Sequence, residues 1–354
     1  MKKYIIQYDD YDNILGLLGY GIPHSNLENV STIIVDLTDE EYEALIGAGI
    51  NILRDSVGKF MFTPNALSNS QIPPDDIFNY YNIESAHAAG FDGDGVKVAI
   101  IDSGQHDNHH AAAPNTTRHD FTQGQSGEDI EVTPHGGRGC IIVGQTNLFT
   151  GTPVPGAIAE YGIAHDCDLH SMRVEEDSGL IFASSVISAL NYCVSNNFDI
   201  INLSIALENN TMDNAILACL NAGIIIVCAS GNDYEVSMTY PANYDGVIAV
   251  NGWNNSADPK VFGSYLTGPN KITITNYSQG HTTFVGGTSQ AAFILTGILT
   301  IYKQKYPSLD TPKAIHLLRR KALQMDEFTY DIPCNTNNIL LNNRTGAGFL
   351  ASIN

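Results

Sequence analysis

Three residues of this chain carry the side-chain groups of a nucleophilic relay, each beside a run that reads as a strand or a helix. Asp102 follows the apolar run VKVAII (96–101) and leads into Ser103-Gly104. His135 opens HGGRG and precedes the helix-like CIIVG. Ser289 lies in GGTSQAA (286–292), where a glycine pair permits a tight turn before a long apolar helix. A hydroxyl becomes a useful nucleophile when a base takes its proton, and an imidazole serves as that base when a carboxylate holds it in place. Acid, base and nucleophile of these types could transfer an acyl group. Asn232, at the end of IIIVCASGN, adds an amide able to donate to a developing oxyanion.

Singly, each signal is weak. An Asp at a strand end is usually a turn residue, a His before two glycines a loop residue, and a Ser at a helix start a cap. Their order decides the matter: Asp, His, Ser, with an Asn beyond another strand, is one of the convergent orders of the nucleophilic triad.

Elements able to position these groups are legible. Besides VKVAII, the runs DIINLSI (199–205), IIIVCAS (224–230) and GVIAV (246–250) read as buried strands, and 183–197 and MDNAILACLNAG as helices, the latter ending at Gly223. Apolar strands alternating with helices predict an α/β fold with a mostly parallel sheet covered on both faces, whose active groups gather beyond the strands' carboxyl ends. Ahead of it, residues 1–64 read as a small α+β unit: strands at 3–7 and 31–37, a helix from Thr38 with Glu41 completing a capping box, and one or two strands in INILRDSVGKFMFTP. PNALSNSQIPPDD (64–76) reads as a linker.

The chain has 354 residues, 17 basic against 38 acidic, for a formal charge of -21. That surface disfavours nucleic acid and anionic membranes as partners. The start, MKKYIIQYDD, holds no secretory apolar region, and cysteines 193, 219 and 228 fall in apolar periodic segments that suit reduced buried thiols. These features lead to an expectation of cytoplasmic residence.

The blocks VAIIDSG, HGGRG, ASGN and GTSQAA together resemble the subtilisin-like serine peptidases, a likeness covering about residues 77–322 and extending to GAGFLAS near the C-terminus. It implies a three-layer subtilisin-like fold over residues 71–354, preceded by a propeptide-like domain and linker over 1–70. It also implies an endopeptidase in which Ser289 attacks, His135 shuttles the proton, Asp102 orients the imidazole and Asn232 binds the oxyanion. Polypeptides would be the substrates, and the N-terminal domain an intramolecular inhibitor and chaperone, cut away between about residues 64 and 76. Ser204, Ile205 and Ala206 would form the strand edge that pairs with substrate; Ala229, Ser230, Gly231 and Thr239 would line the adjoining pocket. The alternative is a catalytically silent module that keeps its N-terminal domain.

Several positions leave the family pattern. H-G-T-H-V-A-G becomes His135-Gly136-Gly137-Arg138-Gly139-Cys140, S-M-A-x-P becomes Ser289-Gln290-Ala291-Ala292-Phe293, and Ala206 replaces a glycine, which could narrow the pocket toward small or modest apolar side chains. No cofactor is needed for the chemistry. Structural calcium is compatible with the family, but Asp92 and Asp94 lack an EF-hand's spacing and no ligand set can be assigned. His109, His110 and His119 form no metal spacing and read as solvated loop residues. GFDGDG (90–95) precedes its strand and so is no dinucleotide site.

Overall fold

The computed structural model describes residues 1–18, 22–60, 81–105, 116–122, 133–144, 162–232, 238–254, 260–262, 273–277, 287–323, 334–336, 339–341 and 349–350. The expected linker lies outside them, as do His109 and His110.

The N-terminal unit comprises β1 (Lys2–Gln7), α1 (Tyr11–Leu18), β2 (His24–Leu27), β3 (Thr32–Leu37), α2 (Asp39–Gly47) and β4 (Ile52–Arg54), followed by β5 (Val57–Phe60). Strands β2, β3, β1 and β4 form an antiparallel sheet in that order. The Thr38–Glu41 capping box is present at α2. Alternation along β1 divides its side chains: Tyr4 and Ile6 enter the unit's own core with Val35 and Leu37, whereas Ile5 joins a core belonging to the rest of the chain.

After α3 (Ile83–Ala88), the main unit runs β6 (Lys97–Asp102), β7 (Thr117–Asp120), α4 (His135–Gly144), β8 (Asp168–Arg173), β9 (Ile181–Phe182), α5 (Ala183–Ser195), β10 (Ile200–Leu203), β11 (Ile205–Leu207), α6 (Asp213–Asn221), β12 (Ile225–Ala229), β13 (Ile248–Asn254), β14 (Lys260–Phe262), β15 (Thr273–Tyr277), α7 (Gly287–Lys305), α8 (Thr311–Lys321), β16 (Ala322–Leu323), β17 (Cys334–Thr336), β18 (Ile339–Leu341) and β19 (Phe349–Leu350). The main sheet is ordered β16-β19-β15-β13-β12-β10-β6-β8-β7. Its central pairs are parallel, with β14 and β16 antiparallel at the periphery.

Both sheet faces are covered, which is why the strands are apolar at successive positions. From β6, Val98 and Ile100 face α4 and α7, in a core with Ile142, Val143, Phe293 and Leu299; Ala99 and Ile101 face α5 and α6, with Val186, Leu190, Ile216 and Cys219. The chain leaves β6 toward β7 and β8 on one side and returns at β10 on the other. Asp102 thus ends a strand at the reversal of strand order, where such sheets open a crevice.

The run 199–205, expected as one strand, is two. β10 stays in the main sheet, and after Ser204 the chain turns out as β11 to pair with β5. The Ser204 hydroxyl donates to Asn202 Oδ1 (2.9 Å) at this break. Gly223 has φ +81° and closes α6 as expected.

Candidate active site

Asp102 is fully buried, and its Oδ1 accepts from the Ser103 backbone N–H (2.7 Å) and from His135 Nδ1–H (2.8 Å). A carboxylate only accepts, so this contact places the imidazole proton on Nδ1 and presents Nε2 as the acceptor. Ser103 stitches the two elements together. Its hydroxyl donates to the Thr133 carbonyl (2.6 Å) and accepts from the Gly136 N–H (2.8 Å) at the first turn of α4. Gly136 is required there, since a Cβ would lie 2.7 Å from the Gly104 carbonyl oxygen and 3.0 Å from Asp102 Cβ.

Ser289, also fully buried, sits in the first turn of α7, which packs against α4. Asn232 is anchored to the neighbouring residue: its Oδ1 accepts from the Thr288 backbone N–H (2.9 Å) and hydroxyl (3.0 Å). With the carbonyl oxygen thus assigned, the amide NH2 is set as a donor on its other side. Gly287 has φ +75°, and a Cβ there would come within 2.7 Å of Asn232 Oδ1, so Gly287 serves close approach as well as the turn.

Asp102, His135, Asn232 and Ser289 therefore occupy one end of the sheet: the ends of β6 and β12 and the starts of α4 and α7. An oriented imidazole, a hydroxyl and an amide donor in this arrangement suit proton-coupled attack on a carbonyl.

The residues expected to meet substrate also gather. Ser204 precedes β11, Ile205 and Ala206 lie in it, Ala229 ends β12, Ser230 donates its hydroxyl to Asn251, and Thr239 N donates to the Ser230 carbonyl (3.4 Å). Ser204, Ile205 and Ala206 are covered by the chain itself. β5 lies antiparallel between β11 and β9, with Phe60 opposite Ile205, Lys59 opposite Ala206 and Gly58 opposite both Leu207 and Ile181. A Cβ on Gly58 would come 2.5 Å from the Ala206 carbonyl oxygen. Beyond β11 opens a cavity of about 690 Å³ whose lining includes Leu207, Glu208, Asp213, Thr239, Tyr240 and Asp245.

Glu175 was not singled out in the sequence, although EED directly after a strand obeys the same strand-end rule that marks Asp102. It is 1% exposed, and its Oε2 accepts from the Thr133 N–H (3.1 Å) and hydroxyl (3.0 Å), two residues ahead of His135. Burial is the main cause that pushes its carboxyl up to about 7, with Asp102 adding repulsion, against the lowering effect of the Thr133 bonds and His135.

His119 corrects its expectation. It is half-buried on β7, with Nε2 2.8 Å from His170 Nδ1, because the edge strand turns it inward against Tyr192. Among the described residues, one group could hold a cation: Asp92, His165 and Asp166, with donor atoms within 4.8 Å of one another. An imidazole beside two carboxylates fits calcium poorly, since calcium favours six to eight oxygens. No step of the chemistry is routed through a metal.

The profile described as Subtilase family matches residues 93–348. A thermostable alkaline protease of Halalkalibacterium halodurans is 27% identical over 290 residues, 79% of this chain and 74% of that protein. Subtilisin DY of Bacillus licheniformis is 26% identical over 264 residues, 70% of this chain and 91% of that protein. Fervidolysin of Fervidobacterium pennivorans, a keratinolytic enzyme related to subtilisin, superposes with a TM-score of 0.72 at 16% identity, over 99% of this chain but 60% of its own. A cold adapted subtilisin-like serine proteinase gives a TM-score of 0.55 at 21% identity, covering 66% of this chain and 84% of that one. The two structures bear on the fold alone.

The expectation of cytoplasmic residence is overturned, because these relatives are secreted extracellular proteases. Buried thiols had pointed the other way. Burial itself raises the Cys193 thiol and pushes Cys219 up to about 12, so such cysteines stay unreactive in any compartment. No helix among the described residues is long and apolar enough to cross a membrane.

Proposed function

The chain belongs to the subtilase family, and from that premise we propose that it is a serine endopeptidase made as a self-processing zymogen. Membership supports a hydrolytic peptidase of this general class; the roles below go one step further. The observation that carries them is the 2.8 Å contact between Asp102 and His135, at the start of a helix packed on the helix of Ser289.

Ser289 Oγ attacks the scissile carbonyl carbon while His135 Nε2 takes the hydroxyl proton, and Asp102 holds the imidazolium so formed. The carbonyl oxygen becomes an oxyanion, met by the Asn232 side-chain amide and a backbone N–H at the positive end of α7. His135 returns the proton to the leaving nitrogen as the C–N bond breaks, leaving an acyl group on Ser289. Water then attacks with His135 again as base, and the acid product departs as Ser289 regains its proton. No cofactor enters the cycle.

The N-terminal unit is the intramolecular inhibitor in this reading. β5 takes the strand position between β9 and β11 that an extended substrate would need, with Phe60 opposite Ile205, the residue after Ser204. The self-cleavage proposed here falls between about residues 64 and 76. Acidic Glu208, Asp213 and Asp245 around the cavity, and the overall charge of -21, favour neutral or basic polypeptides over acidic ones. Small or modest apolar side chains remain the preference proposed for the pocket beside Ala206.

Peptide hydrolysis tests the assignment. Asp102→Asn should lower kcat by about 10⁴, because the imidazole loses its oriented tautomer. Hydrolysis unaffected by Asp102→Asn or Ser289→Ala would reject these roles. The silent-module alternative draws on the same occupied groove, and predicts no hydrolysis even after the N-terminal unit is removed.

A further inference from the structure

We propose that Phe293 is a positioning residue for His135 and that position 139 is glycine because of it, an inference that rests on the catalytic roles proposed above. In sequence these are two unrelated departures: Phe293 stands where S-M-A-x-P has proline, and Gly139 where H-G-T-H-V-A-G has valine. In space they are one feature. Phe293 lies one helical turn after Ser289 on α7, and Gly139 one turn after His135 on α4. The Phe293 ring is fully buried between the two helices, its centroid 5.5 Å from that of the His135 imidazole and tilted 58° to it.

A Cβ on Gly139 would lie 2.4 Å from Phe293 Cε1 and 2.6 Å from Cζ, closer than real Cβ contacts come. Either the ring or a side chain at 139 can fill this space, not both. With Gly139 in place the ring reaches the imidazole and occupies the volume into which His135 would otherwise swing. Ser289 and its base are thereby linked through a single side chain on the nucleophile's own helix.

The experiment compares Phe293→Leu, Gly139→Ala and the double variant in the full chain, by kcat, KM and thermal midpoint. Phe293→Leu should lower kcat about tenfold or more with KM little changed, a small misplacement being worth up to about 10²-fold. Gly139→Ala should be worse, and adding Phe293→Leu to it should restore activity and midpoint above the Gly139→Ala single, since the shorter side chain vacates the space. Losses that simply add, or a Gly139→Ala enzyme equal to wild type, would overturn the proposal.

An arm independent of hydrolysis uses NMR of the His135 Nδ1 proton in a Ser289→Ala background. Phe293→Leu should broaden or shift that resonance while the fold, judged by methyl signals of the β6 core, is retained. An unchanged resonance would overturn the proposal even in an inactive protein. Absence of hydrolysis with the resonance moved would instead count against the catalytic roles alone.

Discussion

The carboxylate of Asp55 caps a helix of the other unit, accepting from both the backbone N–H (2.9 Å) and the hydroxyl (2.6 Å) of Ser184 in the first turn of α5. The helix's own preceding residue, Phe182, supplies no side-chain cap. Nearby, Asn29 Nδ2 donates to Ser195 Oγ (2.7 Å), Gln7 Nε2 to the Thr211 carbonyl (2.9 Å), and Val30 and Ile5 enter the core beneath α5 and α6. Besides the pairing of β5 with β9 and β11, the N-terminal unit is thus docked by an N-cap, a few polar contacts and a small apolar patch.

Asp55→Ala should therefore loosen the docked unit, at about 1 kcal/mol for a lost cap. The thermal midpoint should fall, and the unprocessed chain should expose its site roughly fivefold more often, read as faster reaction with an active-site serine probe. Equal probe rates for the variant and the parent would show that Asp55 does not hold the groove shut.

Asn232→Ala should lower kcat by about 10²–10³ with little change in KM, the size seen for the corresponding donor in subtilisin itself. Gly287→Ala should reach the same site indirectly, pressing a Cβ against Asn232 Oδ1 at a residue with φ +75°. Steady-state kinetics of both variants check this; a rise in KM alone would assign Asn232 to ground-state binding instead.

Glu175 gives the fold a pH dependence of definite sign. Its carboxyl is raised from 4.5 to about 7, so between those values the folded chain holds a proton that the unfolded chain has released. Its contribution to stability is greatest below about pH 4.5 and is lost as pH rises toward 7. Glu175→Gln keeps an acceptor for Thr133 but cannot ionise. Urea denaturation across this window should show wild type losing stability relative to the variant as pH rises. Parallel curves would contradict the assignment.

Self-processing predicts a shortened wild-type chain whose new N-terminus falls within residues 64–76, and an intact Ser289→Ala chain. Intact mass measurement distinguishes them, and equal trimming of both would mean that another protease makes the cut.

What the sequence disclosed follows from which forces are local. Asp102 and Asn232 could be found because parallel strands buried on both faces read as apolar runs and deliver active groups at their ends. The helix cap at Gly223 and the Thr38–Glu41 box were legible for the same reason, their causes lying within a few residues. Contacts between distant segments were not. Nothing in VGKF marks it as leaving its own unit to lie between β9 and β11, and nothing in HGGRG ties Gly139 to a phenylalanine on another helix. His119 reads as a solvated loop residue in the sequence because its burial depends on β7 joining β8 and facing Tyr192. Asp55 likewise gains its role only when α5 arrives.

The most direct measurement is labelling by a fluorophosphonate, which reacts with a serine hydroxyl that an adjacent base has activated. One adduct is expected on mature-length protein, located by tandem mass spectrometry at Ser289 and absent in Ser289→Ala and His135→Ala. Folded, mature-length wild-type protein that takes no label and hydrolyses no peptide would contradict it.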